Sequence, residues 1–317
     1  MANIGYTLTS EEHGPNDLVR NAQRPEDAGF KFLMISDHYH PWIDAQGHSP
    51  FAWTVLGALA QVTGLPLGTA VTCPTMRYHP ALAAQMAATV QVMANGNFLF
   101  GVGTGENLNE HVYGDHWPPY DLRSDMLVEA IEIMRELWTG DLITYYGDFY
   151  TVEEARLYTL PDSPPPVLIA AGGPQSAALA GQIGDGLIST SPQAELVQTF
   201  RENGGAGKPT YGQLTVAYAG TDDEALEIAY KYWPTAAVPG QLGQELRSPA
   251  LFEDAIKRVT RQDVAEAFTV SSDLEKHQQA IQAYLDAGFD HVYVHAVGPE
   301  QEKMLKFYES QILPAFR

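Results

Sequence analysis

Short apolar segments alternate along this chain with segments of helical periodicity. Apolar runs of roughly four to eight residues, bounded by turn residues, are typical of strands in a parallel sheet that is buried on both faces. Eight such segments occur: Asn3–Leu8, Phe32–Ser36, Leu65–Val71, Asn97–Val102, Val167–Ala171, Leu187–Thr190, Gln213–Tyr218 and His291–Ala296. Eight strands alternating with helices predict an α/β fold, the (β/α)8 TIM barrel, which needs about 250 residues. A doubly wound sheet is the competing arrangement.

The segments between the predicted strands carry helix signals. In Ala81–Ala94 apolar residues recur every three or four positions, and Pro80 suits the first turn of a helix. Ser124 is predicted to cap a further helix, which Gly140 would end.

The chain is longer than a minimal barrel, and the excess lies in two places. Residues 142–152 have the pattern of a hairpin that turns at Gly147–Asp148. Residues 233–264 form a Pro- and Gly-punctuated insertion with helical pieces, late enough in the chain to cover the mouth of a barrel. We find no repeat or linker elsewhere, and therefore predict one domain, 1–317, that carries both insertions.

Acidic residues outnumber basic residues by 39 to 18, which gives a formal charge of −21. Nucleic acids and anionic membranes are bound by clustered Lys and Arg, so we expect neither as a partner. Cys73 is the only cysteine, so neither an intrachain disulfide nor a thiolate metal cage can form. The chain shows no secretory signal pattern and no long apolar run, and we expect a cytoplasmic protein.

The residues that follow the second predicted strand carry the most chemistry. Asp37, His38, His40 and Trp42 come directly after an apolar run. Histidine titrates near neutral pH, so His38 or His40 can move protons, and Trp42 offers a flat wall for a planar ligand. In a barrel, the loops after the strands share one face, where active sites are built.

The ends of the other predicted strands place further polar and glycine residues on the same face. These candidates are Glu11, Cys73, Thr104, Gly105, Glu106, Asn109, Gly172, Gly173, Gln175, Ser176 and Thr190. The run Gly101–Glu106 is not a dinucleotide fingerprint, because the third glycine would fall at Glu106. It fits a tight turn that presents Glu106 to the mouth.

Gly172–Ser176 opens a helix directly after a strand, which suits binding of an anion such as phosphate. A plain strand-to-helix turn is the alternative. His38 and His40, or His291 and His295, are spaced as pairs of metal ligands would be, but supporting carboxylates are not evident, and we expect no metal.

Taken together, the motifs at 36–42, 47–51, 101–106 and 170–174 resemble those of the luciferase-like hydride transferases. Within that family they resemble the branch typified by coenzyme F420-dependent glucose-6-phosphate dehydrogenase. The likeness runs from Ile4 to about Pro299. It implies a TIM barrel that holds the deazaflavin coenzyme F420 in its mouth, usually as a homodimer.

The resemblance also implies roles for the matching positions. Glu11, His38, Trp42 and Glu106 match active-site residues of the family, and a non-proline cis peptide bond would fall at Ala70–Val71. The coenzyme would be lined by Asp37, Ala70, Val71, Cys73, Thr104, Gly105, Asn109, Gly172, Gly173, Gln175 and Ser176, with the Gly172 turn near its phosphate. The family has threonine where Cys73 stands, and this residue is interpreted either as a packing residue or as a coenzyme contact.

The implied chemistry is hydride transfer between a carbinol carbon of the substrate and C5 of the deazaflavin. His38 would take the hydroxyl proton, and Glu106 would serve the ring near N1. Asp37 would orient His38 or the coenzyme, and Trp42 would form a wall for the developing carbonyl. The coenzyme carries the hydride, while the protein positions groups and moves one proton.

Two substitutions bear on the substrate, which Thr190, Gln193 and Glu266 are expected to contact. The resemblance implies two lysines and an arginine around a sugar phosphate, yet Gln193 and Glu266 stand at the lysine positions. A carboxylate beside a phosphate costs about 1–4 kcal/mol at near-surface dielectric. We therefore expect an unphosphorylated sugar or secondary alcohol. The alternatives are F420-dependent glucose-6-phosphate dehydrogenase proper and a luciferase-like monooxygenase that uses FMN.

Overall fold

A computed structural model describes residues 3–316 of the chain. Its strands are β1 Asn3–Leu8, β2 Leu33–Ile35, β3 Leu67–Thr69, β4 Phe98–Val102, β5 Ile143–Tyr146, β6 Thr151–Ala155, β7 Val167–Ala170, β8 Gly186–Ser189, β9 Thr210–Ala217, β10 Thr269–Val270 and β11 His291–Ala296. Its α-helices are α1 Pro15–Asn21, α2 Pro25–Ala28, α3 Ala52–Leu59, α4 Pro80–Met93, α5 Asn107–Glu110, α6 Tyr120–Leu137, α7 Pro174–Ile183, α8 Ala194–Phe200, α9 Asp222–Tyr232, α10 Leu242–Glu245, α11 Pro249–Ile256, α12 Arg261–Ala267, α13 Leu274–Asp286 and α14 Gln301–Phe307.

The strands form a closed parallel barrel, which confirms the predicted fold. The order around the barrel is β1, β2, β3, β4, β7, β8, β9 and β11, and β11 pairs with β1 to close it. Each barrel strand overlaps one of the eight apolar segments. The short strand β10 pairs with β9 in addition. The carboxyl ends of all barrel strands therefore open on one face.

The amino-terminal part of the barrel interior is filled by aromatic and aliphatic side chains. Phe32 packs edge-to-face on Tyr211 and Tyr293, at centroid distances of 5.6 and 6.3 Å. Gly5 makes room for this ring, because a Cβ there would lie 2.5 Å from it. Met34, Leu168 and Ile188 complete the cluster. The interior opens above this plug, toward the carboxyl ends of the strands.

One helix begins earlier than its sequence predicts. Ser124 lies inside α6, and its hydroxyl has no hydrogen-bond partner in the described part of the chain. The helix begins after Pro119, which occupies the N-cap position in an extended conformation. Proline favours the start of a helix because it lacks the N–H that would be unpaired there.

Both segments of extra length contact the rest of the chain. Strands β5 and β6 pair as an antiparallel hairpin, and Glu129 of α6 accepts backbone N–H bonds from Asp148, Phe149 and Tyr150. The 233–264 segment reaches the barrel mouth, where Phe252 packs edge-to-face on Trp42 at 5.1 Å.

Within residues 3–316, no helix combines the length and the apolar character needed to span a lipid bilayer.

Candidate active site

A cavity of about 310 Å³ opens at the carboxyl ends of the barrel strands. Most of the sequence-predicted site residues line it: Glu11, Asp37, His38, Trp42, Ala70, Val71, Cys73, Thr104, Gly105, Glu106, Asn109, Gly172, Ser176 and Thr190. These residues follow six different strands, so closure of the barrel is what brings them together.

The imidazole of His38 lies between two carboxylates. Its Nε2 is 3.3 Å from Oε1 of Glu11 and 3.5 Å from Oε2 of Glu106. The side chains of His38 and Glu11 are 12% and 2% exposed, so their mutual attraction is only weakly screened by water. Both carboxylate oxygens thus face the same ring nitrogen of His38.

The other ring nitrogen of His38 has both kinds of hydrogen-bond partner. Nδ1 lies 3.3 Å from the carbonyl of His40, an acceptor, and 3.2 Å from Nδ2 of Asn109, a donor. Each tautomer of the neutral ring therefore finds a partner at Nδ1. The ring can take up or release a proton at Nε2 without leaving Nδ1 unpaired.

Glu11 is fixed from behind by two serines. The hydroxyl of Ser36 donates to Oε2 of Glu11 at 2.6 Å, and Ser36 in turn accepts from the backbone N–H of Ser10 at 3.0 Å. Oε1 is thereby left to face His38. Glu11 is among the residues predicted from the sequence, whereas the two serines are not.

Glu106 is presented to the cavity by a glycine turn, as its sequence predicts. Gly105 has φ +82°, and a Cβ there would lie 2.6 Å from Sγ of Cys73, so the turn requires glycine. Burial raises the pKa of Glu106, while the neighbouring His38 opposes that shift. Nδ2 of Asn109 donates to Glu106 at 3.2 Å. Because the same amide nitrogen lies beside Nδ1 of His38, Asn109 links Glu106 to the second ring nitrogen of His38.

Two tryptophans form walls of the cavity. Trp42 lies beside His38, with ring centroids 5.1 Å apart. Trp233, which is not among the residues predicted from the sequence, also lines the cavity and packs edge-to-face on His295 at 4.5 Å. Aromatic walls of this kind exclude water and orient a planar ligand.

Trp233 is held in place by Glu12. The carboxylate accepts hydrogen bonds from the indole N–H of Trp233 and, at 2.7 Å, from the backbone N–H of Gly298. Burial raises the pKa of Glu12 to about 8, although the two hydrogen bonds oppose the shift. A buried titratable group therefore connects the loop after β1, the segment after α9 and the loop after β11.

Asp37 does not orient His38 through its carboxylate. The side chain is fully buried, and Oδ1 accepts from Arg77 and Tyr78, both at 3.0 Å. Oδ2 accepts from Thr72 at 2.7 Å and from Trp53 at 3.1 Å. All of these donors belong to the protein, so Asp37 anchors the loops after β2 and β3 beneath the cavity.

Cys73 lines the cavity as a buried, neutral group. Burial raises the pKa of its thiol, and its Sγ lies 3.0 Å from the hydroxyl of Thr75. A thiol of raised pKa is a poor nucleophile. The neighbouring Ala70–Val71 peptide bond is cis, as the resemblance implied.

The turn after β7 contributes Gly172 and Ser176 to the cavity. The Ser176 hydroxyl accepts the backbone N–H groups of both Gly172 and Gly173, at 3.2 Å each, and so caps the start of α7. The positive end of a helix dipole faces the cavity there. Gly173 and Gln175 lie outside the lining, and Gln175 is exposed.

One of the three expected substrate contacts lies in the cavity. Thr190 lines it, but Gln193 and Glu266 are exposed and lie outside it. Gln193 bonds to Ser191, and Glu266 accepts from Gln262 on its own helix at 2.8 Å.

Across 3–316, no three His, Cys, Asp or Glu side chains are placed to hold a metal ion.

The family is established by comparison with known proteins. The chain belongs to the luciferase-like monooxygenase family, whose pattern matches residues 2–291. It is 35% identical to an F420-dependent glucose-6-phosphate dehydrogenase of Amycolatopsis mediterranei, over 100% of this chain and 99% of the relative. It is 36% identical to an F420-dependent hydroxymycolic acid dehydrogenase of Mycobacterium tuberculosis, over 99% of this chain and 88% of the relative.

Solved structures agree with this family assignment. An F420-dependent secondary alcohol dehydrogenase in complex with an F420–acetone adduct superposes with a TM-score of 0.92, at 30% identity over the whole of both chains. The F420-dependent tetrahydromethanopterin reductase of Methanopyrus kandleri superposes with a TM-score of 0.80 at 21% identity, which shows the shared fold.

Proposed function

We infer that this chain is a coenzyme F420-dependent oxidoreductase acting on CH–OH groups. The observation that carries this assignment is the His38 imidazole, held between Glu11 and Glu106 in the mouth of a luciferase-like barrel. Full-length similarity to F420-dependent dehydrogenases of alcohols and sugar phosphates supports both the coenzyme and the reaction class.

The residues after β3, β4 and β7 fit a planar coenzyme with an anionic tail. Ala70, Val71 and Cys73 would form a wall of low polarity for the ring, and the Gly172 turn at the start of α7 would lie near the phosphate. The deazaflavin, when bound, supplies the hydride acceptor at C5. The protein binds and orients it and moves the accompanying proton.

The proton path begins at Nε2 of His38. In the oxidation direction His38 takes the hydroxyl proton of the substrate, and Glu11 at 3.3 Å stabilises the resulting imidazolium. Nδ1 then donates to the carbonyl of His40. Because burial raises its pKa, Glu106 holds a proton more readily than an exposed glutamate and would donate it toward the ring near N1.

We propose that the substrate is unphosphorylated. Among the described residues that line the cavity there is no lysine or arginine, whereas Glu11 and Glu106 face its interior. A phosphate dianion placed there would lose hydration without gaining a cation. The lack of a cation in the described lining supports an unphosphorylated substrate better than Glu266 does. Glu266 is exposed, lies outside the cavity and accepts a hydrogen bond on its own helix.

The test follows deazaflavin absorbance and fluorescence with the purified chain. We expect F420 to bind and to be reduced with unphosphorylated sugars or secondary alcohols, with glucose preferred to glucose 6-phosphate. Failure to bind F420 would overturn the assignment. Binding with a strong preference for glucose 6-phosphate would keep the coenzyme and overturn the proposed substrate.

Two alternatives each have an observation in their favour. The 35% identity to glucose-6-phosphate dehydrogenases over the full length favours that activity proper. The family description favours an FMN-dependent monooxygenase, which would bind FMN and consume oxygen. The same assays, run with glucose 6-phosphate and with FMN, separate both from the main proposal.

We further propose a cytoplasmic homodimer, as the family resemblance implies. Light scattering of the purified chain should then give twice the chain mass of 34.7 kDa. A mass of one chain across the working concentration range would contradict it.

A further inference from the structure

Four buried residues line the cavity, and each carries a side-chain polar atom without a hydrogen-bond partner among residues 3–316. These atoms are the hydroxyls of Thr7, Thr9 and Ser189 and Nε2 of His295, and none of these residues is more than 4% exposed. We call this set the polar arc. A buried polar atom left unpaired costs stability, so a ligand group that pairs with these atoms when the cavity is filled would be bound favourably.

The polar arc occupies one continuous half of the barrel. Thr7 directly follows Tyr6, which pairs with Val294, so Thr7 lies beside His295 on the neighbouring strand. Ser189 is the last residue of β8. Strand β8 pairs with β9, and β9 pairs with β11. The strands β8, β9, β11 and β1 are thus consecutive.

The expected coenzyme contacts lie in the other half of the barrel. Asp37, Val71, Thr104 and Gly172 follow β2, β3, β4 and β7, which are also consecutive. His38 and Glu11 follow β2 and β1, where the two halves meet. A substrate on the polar arc would therefore face a coenzyme on the opposite wall, with the proton acceptor at the junction.

The polar arc is electrically neutral and able both to donate and to accept. Three of its members are hydroxyls, and burial lowers the pKa of His295 to about 4, so its ring is uncharged at neutral pH. Nδ1 of His295 lies 3.2 Å from the hydroxyl of Thr215, which can donate or accept. When Nδ1 carries the proton, Nε2 can accept a hydrogen bond, and when Nδ1 is the acceptor, Nε2 carries the proton and can donate one.

This chemistry matches hydroxyl groups better than other ligands. An alkyl chain against the polar arc would leave its atoms unpaired. An anion would find no cation in the described lining and would face Glu11. Several hydroxyls presented together would pair with the arc in either direction.

We propose that the polar arc binds the hydroxyl groups of a neutral polyhydroxylated substrate, so that this enzyme selects a sugar or cyclic polyol over a simple secondary alcohol. The proposal rests on the function inferred above. Trp233, which packs on His295 at 4.5 Å, would cover the ring of such a substrate from the side of the 233–264 segment.

The first experiment compares myo-inositol and D-glucose with cyclohexanol, which has a similar ring but a single hydroxyl. Calorimetry on the full chain, with and without F420, measures binding, and F420 reduction measures turnover. We expect at least a hundredfold preference for a polyhydroxylated compound, because cyclohexanol leaves the arc unpaired. Equal or better binding and turnover of cyclohexanol would overturn the proposal.

The second experiment removes single hydroxyls with little change in volume. Thr7→Val and Ser189→Ala should each weaken binding of the preferred polyol roughly three- to tenfold and reduce its preference over cyclohexanol by a similar factor. Thr210→Val is the matched control, because the Thr210 hydroxyl is buried but paired with Asp290 at 2.9 Å, outside the cavity. It should leave the selectivity as it is.

The outcomes separate this proposal from the function it rests on. Absence of F420 binding overturns the function, and calorimetry with the sugars alone still tests the arc. If Thr7→Val and Ser189→Ala weaken F420 binding and leave the polyol preference intact, the polar arc binds the coenzyme and not the substrate. The proposal is then wrong.

Discussion

Nε2 of His38 lies 3.3 Å from Oε1 of Glu11. Because Ser36 holds the other oxygen of Glu11, the carboxylate cannot turn away from the imidazole without losing a buried hydrogen bond. The pair is thus set to stabilise an imidazolium.

Glu11→Gln should lower kcat about tenfold to a hundredfold, because the imidazolium loses its counter-charge while the side chain keeps its shape. KM should change little, since the interaction matters only once the proton has moved. Steady-state F420 reduction measures both constants. A raised KM with unchanged kcat would show instead that Glu11 binds substrate.

Glu106→Gln should lower kcat about a hundredfold or more and remove one limb of its pH profile. The limb that disappears reports the pKa of Glu106, which burial places above that of an exposed glutamate. Glu195→Gln, on the exposed surface of α8, is the control and should keep both rate and profile. An unchanged profile in Glu106→Gln would exclude Glu106 from proton transfer.

Glu12→Gln should reduce the loss of stability that wild type shows as pH rises from about 6.5 to about 8. With its pKa raised to about 8, the folded protein keeps the Glu12 proton, whereas the unfolded chain releases it near 4.5. The folded state binds more protons in this range, so its stability falls as pH rises. Burial lowers the pKa values of His13 and His295 to about 4. These two histidines make stability rise with pH, but only below about pH 6.5, the pKa of histidine in the unfolded chain.

Urea unfolding at pH 6.5 and pH 8 measures this difference. Glu195→Gln again serves as the control and should follow wild type. If Glu12→Gln loses as much stability as wild type between the two pH values, Glu12 is ionised throughout and the hydrogen bonds from Trp233 and Gly298 dominate its pKa.

Asp37→Asn should destabilise the fold by about 3 kcal/mol, since it leaves the buried Arg77 guanidinium without its main partner and turns an amide donor toward other donors. Chemical denaturation measures the loss. Asp254→Asn removes the exposed ion pair with Lys257 and should have little effect. Equal losses in the two variants would contradict the anchoring role of Asp37.

The fold was predictable because barrel strands are buried on both faces and so stand out as apolar runs. Site residues at strand ends were predictable for the same reason: Glu11, His38 and Glu106 each follow such a run. Strand position specifies the face of the barrel, and the barrel brings these residues together.

Some residues were not predictable from the sequence because their partners are distant along the chain. Glu12 and Trp233 are 221 positions apart, and Arg77 lies 40 positions from Asp37. Neither pairing leaves a local pattern. Thr7 and Ser189 escaped notice because buried hydroxyls in a strand are ordinary unless their lack of partners is known.

The most direct test of the central claim is F420 reduction by wild type and by His38→Gln with one accepted alcohol, alongside F420 binding. We predict that His38→Gln binds F420 as wild type does and reduces it 10²- to 10⁴-fold more slowly, since an amide cannot take the hydroxyl proton. Full turnover in His38→Gln with intact F420 binding would contradict the role assigned to His38.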